Sequence, residues 1–427
     1  MKIVSLKKIK LGDDSSLLAY LADLEAHFRE REPGVLAFVP EEGRFDRLRR
    51  DAHVLMKQYP DPAKRPGLFG IPVGVKDIFH VDEFITRAGS EVPADLLRGA
   101  EAESVRILKA AGVLIMGKTV TTEFAYFAPG PTRNPHNLRH TPGGSSSGSA
   151  AAVGAGLCPL ALGTQTIGSI IRPAAYSGVV GYKPTYERIS RAGVIPLSPS
   201  LDHIGAFSVD VSGVALAADV LVKGWDSSVV RARSGLPQLG IPNGEYLEYA
   251  TSEGHDHFWA NCNRLREAGF VIKSISTMLD YDAICTRHNL LLAAEAARVH
   301  TQWFSEHKDC YHAKTVELIE RGQTIAGDDL VRARYGREEL RCALHGMMDA
   351  NQIDLWISPS ATGVAPQGLE STGDPVMNLL WTHGGLPTIG MPSGKSSDGL
   401  YFGLQLAARF GNDELLFAWA SEIEKVL

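Results

Sequence analysis

The sequence is short of cysteine and lacks any long hydrophobic segment. Its 427 residues include five cysteines, widely separated and with no CxxC pair, so a disulfide framework or a zinc ribbon is not expected. This cysteine usage fits a reducing compartment, and the N-terminal residues lack the hydrophobic core of a signal peptide. We therefore predict a cytoplasmic protein.

An excess of either charge is also missing. The chain has 43 Lys and Arg against 49 Asp and Glu, a formal net charge of −6, so nucleic acid is not an expected partner. The longest run of small apolar residues, 150–163, is too short and too rich in glycine to cross a bilayer core of ~30 Å, and no membrane partner is expected. No HExxH or similar spacing of metal ligands is present, so we predict no metal.

Glycine and proline, by contrast, are abundant, and ten glycines fall between residues 130 and 181. Glycine at such density indicates left-handed backbone or close approach of chain segments. Helical and strand patterns alternate to about residue 230, which is typical of an α/β fold. We predict helices at 15–31, 41–58, 101–111 and Leu415–Val426, strands at Ile71–Val75 and Val113–Met116, and longer amphipathic helices from about 211 to 350, broken at Pro237–Pro242.

A short motif at Gly112–Thr119 has the GxxxxGK[ST] spacing of a P-loop. A P-loop is a flexible turn whose backbone N–H groups wrap a phosphate. Here the four central residues are bulky and apolar, so we interpret the segment as a strand and do not predict nucleotide binding.

A second short motif, Gly144–Gly148, matches the GxSxG nucleophile elbow of the α/β-hydrolases, with Ser146 at its centre. An elbow follows a strand, whereas the preceding His140–Gly143 is a turn. An esterase built from Ser146, His383 and either Asp354 or Asp374 stays open as an alternative. Taken alone, the segment is also compatible with a glycine-rich loop before a buried helix.

A longer series of motifs gives a more specific indication. It comprises Gly70-Ile-Pro-Val-Gly-Val-Lys-Asp77, the Gly- and Ser-rich segment 142–185 with Gly-Gly-Ser-Ser-Ser-Gly-Ser, Ser200-Leu-Asp-His-Ile-Gly205, and the segment 373–409. In this order and spacing the chain resembles the amidase signature family over about residues 15–425. The resemblance implies an α/β fold with a single large domain, 1–427, whose central mixed β-sheet is covered on both faces by α-helices. We expect a core at about 70–205, an outer helical region at about 211–350 and a return to the core at about 352–427.

The same resemblance implies three catalytic residues. Ser169 is the nucleophile, Ser145 is the bridging serine preceded by a cis peptide bond, and Lys76 is the base. A serine hydroxyl needs a neighbour that accepts its proton, and a lysine accepts one only when neutral, which burial favours. Lys76 ends the apolar run Ile71–Val75, where a buried position is expected. Taken singly, Lys76 would be an exposed strand-end lysine and Ser169 a helix N-cap.

The segment around the nucleophile also implies an oxyanion hole and a substrate contact. Backbone N–H groups of Thr166, Ile167, Gly168 and Ser169 are expected to hold the oxyanion, a contribution of ~3–4 kcal/mol for each donor. Many family members have Gly-Thr-Asp-Thr-Gly-Gly-Ser-Ile-Arg here, and this chain departs from that pattern at Gln165, Ile167 and Arg172.

Gln165 together with Arg172 resembles the malonamidase branch, in which the arginine holds a free carboxylate of the substrate. A guanidinium suits that task because it binds a carboxylate bidentately. We predict Arg172, Gln165 and Ser146 as substrate-binding residues, with a structural ion pair as the alternative for Arg172. Ile167 places a larger side chain in the pocket, which argues against malonamate itself as the substrate. His203 and His383 are interpreted as structural hydrogen-bonding residues.

These observations predict a serine amidohydrolase that cleaves the C–N bond of a small linear amide, with or without a second carboxylate, through an acyl-enzyme on Ser169. The predicted partner is a small-molecule amide, without any organic cofactor, and a homodimer is one option for the assembly. Three alternatives stay open besides: a glutamyl-tRNA amidotransferase A-type subunit, the esterase that uses Ser146, and a non-enzymatic relative that binds a carboxylate.

Overall fold

The computed structural model of the chain describes residues 6, 9, 14–232, 235–277 and 280–427. Within these ranges the strands are β1 Pro72–Lys76, β2 Leu114–Thr119, β3 Leu160–Gln165, β4 Val180–Lys183, β5 His203–Ser208, β6 Gln238–Asn243, β7 Val271–Ser276, β8 Leu355–Pro359, β9 Thr388–Lys395 and β10 Tyr401–Ala407. They form one sheet in the order β2-β1-β3-β5-β4-β9-β10-β8-β6-β7.

The sheet is mixed. Strand β1 is parallel to β2 and β3, and β6 is parallel to β7 and β8, whereas β3, β5, β4, β9, β10 and β8 pair antiparallel in succession. Parallel pairs need long crossover connections, and these are supplied here by helices. The predicted α/β fold with a central mixed sheet is therefore confirmed.

Helices pack around this sheet. They are α1 Asp14–Val35, α2 Arg44–Gln58, α3 Glu103–Ala110, α4 Ser147–Gly154, α5 Ile171–Ser177, α6 Val211–Leu221, α7 Ser227–Ala232, α8 Glu245–Glu248, α9 Ser252–Glu267, α10 Tyr281–Val299, α11 Thr301–His307, α12 Ala313–Gln323, α13 Gly327–Asn351, α14 Val376–His383 and α15 Asp413–Glu424. The predicted helices before residue 112 and at the C-terminus match α1, α2, α3 and α15. None of the helices described is long and apolar enough to cross a membrane.

The region expected to be an outer helical portion, about 211–350, differs from that expectation. It holds α6 to α13 but also supplies β6 and β7, which extend the sheet at one end. Leu239 and Ile241 are buried, which explains why this short apolar run forms a strand. Strand β8 pairs with β6 only at Leu239 and Gly240. Pro242 is tolerated because its missing N–H therefore removes no hydrogen bond between β6 and β8.

Strand β1 brings the lysine motif next to the serine-rich segment. Val75 pairs with Lys118 of β2 on one side and with Leu162 of β3 on the other. The segment interpreted as a strand rather than a P-loop is β2, as predicted. Helix α4 is buried along its whole length and packs behind β1, β2 and β3, so the loop that leads into it is held against the end of β1.

Candidate active site

Lys76 occupies the last position of β1 and its side chain is fully buried. Its Nζ lies 2.7 Å from Ser145 Oγ, 2.8 Å from Thr164 Oγ1 and 3.1 Å from Ser146 Oγ. Burial lowers the pKa of Lys76 well below 10.5, and the charge of Asp202 opposes that shift. Burial among hydroxyl groups therefore favours the neutral amine, the form that can accept a proton.

A second buried lysine, Lys118, has a different environment. Its Nζ forms an ion pair with Asp77 at 2.6 Å and donates to Thr86 Oγ1 at 3.0 Å. Among the described residues Lys76 has no such carboxylate partner within 4 Å. The sequence places Asp77 directly after Lys76, yet its carboxylate pairs with Lys118 on the neighbouring strand β2.

Ser145 follows a cis peptide bond from Gly144, as the resemblance implies. Its side chain is buried, and its carbonyl accepts a hydrogen bond from Thr122 N at 3.2 Å. Both preceding glycines are required sterically. Gly143 has φ +82°, and a Cβ on Gly144 would lie 2.6 Å from Thr372 Cγ2.

Ser169 lies in the loop between β3 and α5, at the wall of a small cavity that we call the catalytic cavity after the role predicted for Ser169. Ser145, Thr166, Ile167 and Arg172 line the same cavity, so the structure brings these predicted residues together. The other lining residues are Ala125, Tyr126, Phe127, Leu197, Leu292 and Pro375. The arrangement places two serine hydroxyls and a guanidinium around one small space.

The backbone of loop 166–170, called the nucleophile loop after the role predicted for Ser169, has free donors. The N–H groups of Ile167, Gly168 and Ser169 donate to no acceptor among the described residues. A Cβ on Gly168 would lie 2.3 Å from Asn378 Oδ1, so glycine is required for the loop to pack on α14. Thr382 Oγ1 donates to the carbonyl of Ile167 at 2.7 Å and fixes the loop from the same helix.

Gln165 differs from the predicted substrate contact. Its side chain is fully buried, and its Oε1 accepts hydrogen bonds from Ile170 N at 2.8 Å and Ile171 N at 2.9 Å. Its Nε2 donates to Thr382 Oγ1 at 2.9 Å. The polar atoms of Gln165 are thus used to begin α5 and to hold the nucleophile loop, and the side chain does not line the cavity.

Ser146 also differs from prediction, both as a substrate contact and as an elbow nucleophile. It is fully buried, and its Oγ donates to Thr164 O at 3.1 Å and accepts from Thr164 N at 3.2 Å. Besides Lys76 and Thr164, it has no polar side-chain partner among the described residues. A loop rather than a strand precedes it, so its hydroxyl stays inside the core and away from the cavity.

Arg172 is buried at the start of α5 and has spare hydrogen-bonding capacity. Its Nη2 donates to Gly144 O at 2.7 Å and to Thr372 Oγ1 at 3.1 Å. Its Nε and Nη1 have no partner, and no carboxylate lies within 4 Å, among the residues described. Burial lowers the pKa of Arg172 to about 10, so the guanidinium stays charged at neutral pH. Within the described ranges, the structural ion pair considered for this residue is therefore not formed.

The two histidines noted in the sequence lie in the core, not at the wall of the cavity that Ser169 lines. His203 Nδ1 donates to Leu201 O at 2.6 Å, and burial lowers the pKa of this imidazole well below 6.5. His383 is also fully buried, beside His288 with ring centroids 5.4 Å apart, and its ring nitrogens have no partner among the described residues. His203 thus has the predicted structural hydrogen bond, whereas His383 does not.

Sequence reasoning missed the outer part of the site. A cavity of about 530 Å³ shares Tyr126, Phe127 and Pro375 with the catalytic cavity and opens toward solvent. Its wall carries Lys314 and Arg321 from α12. The helix α12 is distant in sequence from every motif. Its amphipathic pattern predicts a helix, but nothing in the sequence indicates that this helix faces the site.

Sequence comparison relates the whole chain to enzymes of one family. The profile of the family described as Amidase matches residues 42–417. The A-type subunit of the glutamyl-tRNA(Gln) amidotransferase of Koribacter versatilis is 31% identical, over 85% of this chain and 85% of that protein. The corresponding protein of a Synechococcus species is 30% identical, over 95% of this chain and 92% of that protein.

Solved structures agree with this relationship. An amidase crystal structure is 28% identical, covers both chains completely and has a TM-score of 0.86. The native peptide amidase from Stenotrophomonas maltophilia is 26% identical over 97% of this chain and 93% of that one, with a TM-score of 0.79. These similarities do not favour the malonamidase-like branch over other branches. Over nearly its whole length, the chain belongs to the amidase signature family, whose members act on carbon–nitrogen bonds.

Proposed function

We propose that the chain is a serine amidohydrolase that cleaves a small linear amide through an acyl-enzyme on Ser169. The observation that carries the proposal is the environment of Lys76, a fully buried amine within 2.7 Å of Ser145 Oγ and without an ion-pair partner among the described residues. Burial favours the neutral form of such a lysine, which can act as a base, whereas the ion pair of Lys118 favours its charged form.

In the proposed mechanism, Ser169 Oγ attacks the amide carbonyl while its proton passes to Ser145 and the proton of Ser145 passes to Lys76. The oxyanion accepts hydrogen bonds from the free backbone N–H groups of the 167–169 loop. The C–N bond then breaks as the relay returns a proton to the leaving nitrogen. Water attacks the ester by the same route and restores Ser169, so that an amine and a carboxylic acid are the products.

Arg172 supports a more specific substrate, an amide whose acyl part carries a second carboxylate. Two of its nitrogens, Nε and Nη1, are buried and unpartnered in the described part of the chain, and the residue lines the catalytic cavity. A buried cation without a counter-ion is costly, and a carboxylate from the substrate relieves that cost. The amide of a dicarboxylic acid fits this arrangement.

The experiment that tests the proposal combines mutation with active-site labelling. Ser169→Ala is expected to abolish amide hydrolysis, with retained folding by circular dichroism. A fluorophosphonate is expected to label the peptide that contains Ser169 in the wild type, and not the one that contains Ser146. Full hydrolysis by Ser169→Ala, or labelling at Ser146, would contradict the mechanism and revive the esterase alternative.

A second candidate function is that of one component of an amidotransferase. It is favoured by the relatives named as A-type subunits of glutamyl-tRNA(Gln) amidotransferase, which align over most of both chains. In that case the purified chain by itself is expected to be inactive toward small amides and to copurify with a partner protein or tRNA. Hydrolysis of a small amide by the isolated chain would favour the serine amidohydrolase. We further propose a cytoplasmic location and a homodimer, the latter tested by sedimentation of the purified protein.

A further inference from the structure

A second, mostly apolar cavity adjoins the catalytic cavity, and Arg172 is not among the residues that line it. This side chamber has a volume of about 250 Å³, and its wall includes Ile78, Val194, Ile195 and Ile204. Ala125, Thr166 and Leu197 line both cavities, so these three residues form the boundary between the two spaces.

The side chamber lies next to the base. Thr164 lines it, and the Oγ1 of Thr164 is 2.8 Å from Lys76 Nζ. Arg172 lines the catalytic cavity but not the side chamber. Of these two cavities, the guanidinium thus borders only the catalytic one, whereas the side chamber borders Thr164, the residue that contacts the base.

The two charged groups at the wall of the side chamber, Asp202 and Arg191, already have partners within the protein. Asp202 Oδ1 accepts from Thr166 Oγ1 at 2.6 Å, and its Oδ2 accepts from Leu197 N at 2.9 Å and Ser198 N at 3.0 Å. Arg191 pairs with Glu187 at 3.2 Å. Both charged groups are satisfied by the protein, and the remaining lining is apolar apart from Thr164, Thr166 and His203, so the side chamber suits an uncharged, mostly hydrocarbon group.

The chemistry of amide cleavage decides which part of a substrate lies there. The leaving nitrogen must take its proton from the Ser145–Lys76 relay, so it lies on the side of the base. A substituent on that nitrogen then extends toward Thr164 and the side chamber, whereas the carboxylate of the acyl part reaches Arg172. An apolar cavity of roughly 150 Å³ is enough to hold benzene, so the side chamber has room for a group of about four to six carbons.

We propose that the side chamber binds the hydrocarbon substituent of the leaving amine, and that the substrate is a secondary amide of an alkyl or aryl amine. This inference rests on the proposed amidohydrolase function. It adds a leaving-group specificity that the catalytic residues alone do not define.

The test uses N-methyl and N-butyl monoamides of succinic acid, which differ only in the length of the leaving group. The wild type is expected to show a kcat/KM at least tenfold higher for the N-butyl amide, because each buried CH₂ adds favourable transfer free energy. Val194 lines the side chamber but not the catalytic cavity, so Val194→Trp fills the chamber selectively. This variant is expected to lose at least tenfold in kcat/KM for the N-butyl amide and to stay within twofold for the N-methyl amide.

Val54→Trp is the matched control, because Val54 is 65% exposed on α2. It is expected to leave both values within twofold of wild type. Val194→Phe replaces Val194→Trp if thermal melting shows that the latter does not fold. Equal kcat/KM values for the two amides in the wild type, or equal losses in the filled variant, would overturn the leaving-group inference while the amidohydrolase stands. Failure to hydrolyse any amide would contradict the proposed function itself.

Discussion

Lys118 pairs with Asp77 at a distance of 2.6 Å, and Lys76, the residue before Asp77, receives no carboxylate within 4 Å in the described part of the chain. Both lysines are buried at neighbouring positions of the sheet, since Lys118 lies in β2 beside β1. The carboxylate of Asp77 thus pairs with Lys118, whereas Lys76 is surrounded by hydroxyl groups. This division separates a structural cation from the proposed base.

The Lys118–Asp77 pair is expected to be important for stability and not for the chemical step. Asp77→Asn leaves the buried ammonium of Lys118 unpaired, and we expect a loss of about 3–5 kcal/mol in the free energy of unfolding. Urea denaturation of Asp77→Asn and of the double variant Asp77→Asn/Lys118→Met measures this effect. The double variant is expected to regain part of the loss. An Asp77→Asn variant as stable as wild type would show that the pair contributes nothing.

The activity is expected to depend on pH through Lys76. Burial lowers the pKa of Lys76 well below 10.5, so the neutral amine forms at lower pH than for a free lysine. The value of kcat/KM is expected to rise as pH increases through this lowered pKa and to reach its plateau below pH 10.5. A profile that keeps rising up to pH 10.5 would contradict the assignment. Lys76→Ala is expected to lower kcat by ~10³-fold or more, in the range seen when a general base is removed.

Replacing Arg172 is expected to separate acidic from neutral amides. A hydrogen bond to a charged group contributes about 1.5–3 kcal/mol, so Arg172→Met is expected to lower kcat/KM for an amide with a second carboxylate by roughly 10- to 100-fold. A neutral amide of the same length, in which an isopropyl group replaces the carboxylate, serves as the control and is expected to change little. Equal losses for both amides would make Arg172 a structural residue of the Gly144 loop.

Gln165 is expected to act through the position of the nucleophile loop. Gln165→Met removes the acceptor for Ile170 N and Ile171 N and the donor to Thr382, and we expect a loss of about 1–3 kcal/mol in the free energy of unfolding. The kcat is expected to fall with little change in KM, because the side chain does not line the catalytic cavity. A selective rise in KM would instead indicate direct substrate binding.

The fold could be predicted because long motifs occur in a fixed order, and the same motifs carry the prediction of Lys76, Ser145 and Ser169 as the catalytic set. The limits of that prediction have physical causes. The strands β6 and β7 carry only short apolar runs within a helix-rich region, and β6 pairs with β8, which is far away in sequence. The cavity walls from α12 and from Tyr126 depend on tertiary packing, which no local pattern encodes.

The course of β3 and its continuation has one further consequence. Successive side chains of a strand point to opposite faces. Thr164 and Thr166 accordingly contact Lys76 and Asp202 on one face, whereas Gln165 contacts Thr382 on the other. Three consecutive residues therefore affect two different properties, the chemistry of the site and the stability of the loop. Replacing either threonine is expected to alter reactivity and selectivity, and replacing the glutamine between them is expected to alter how well the loop is held together.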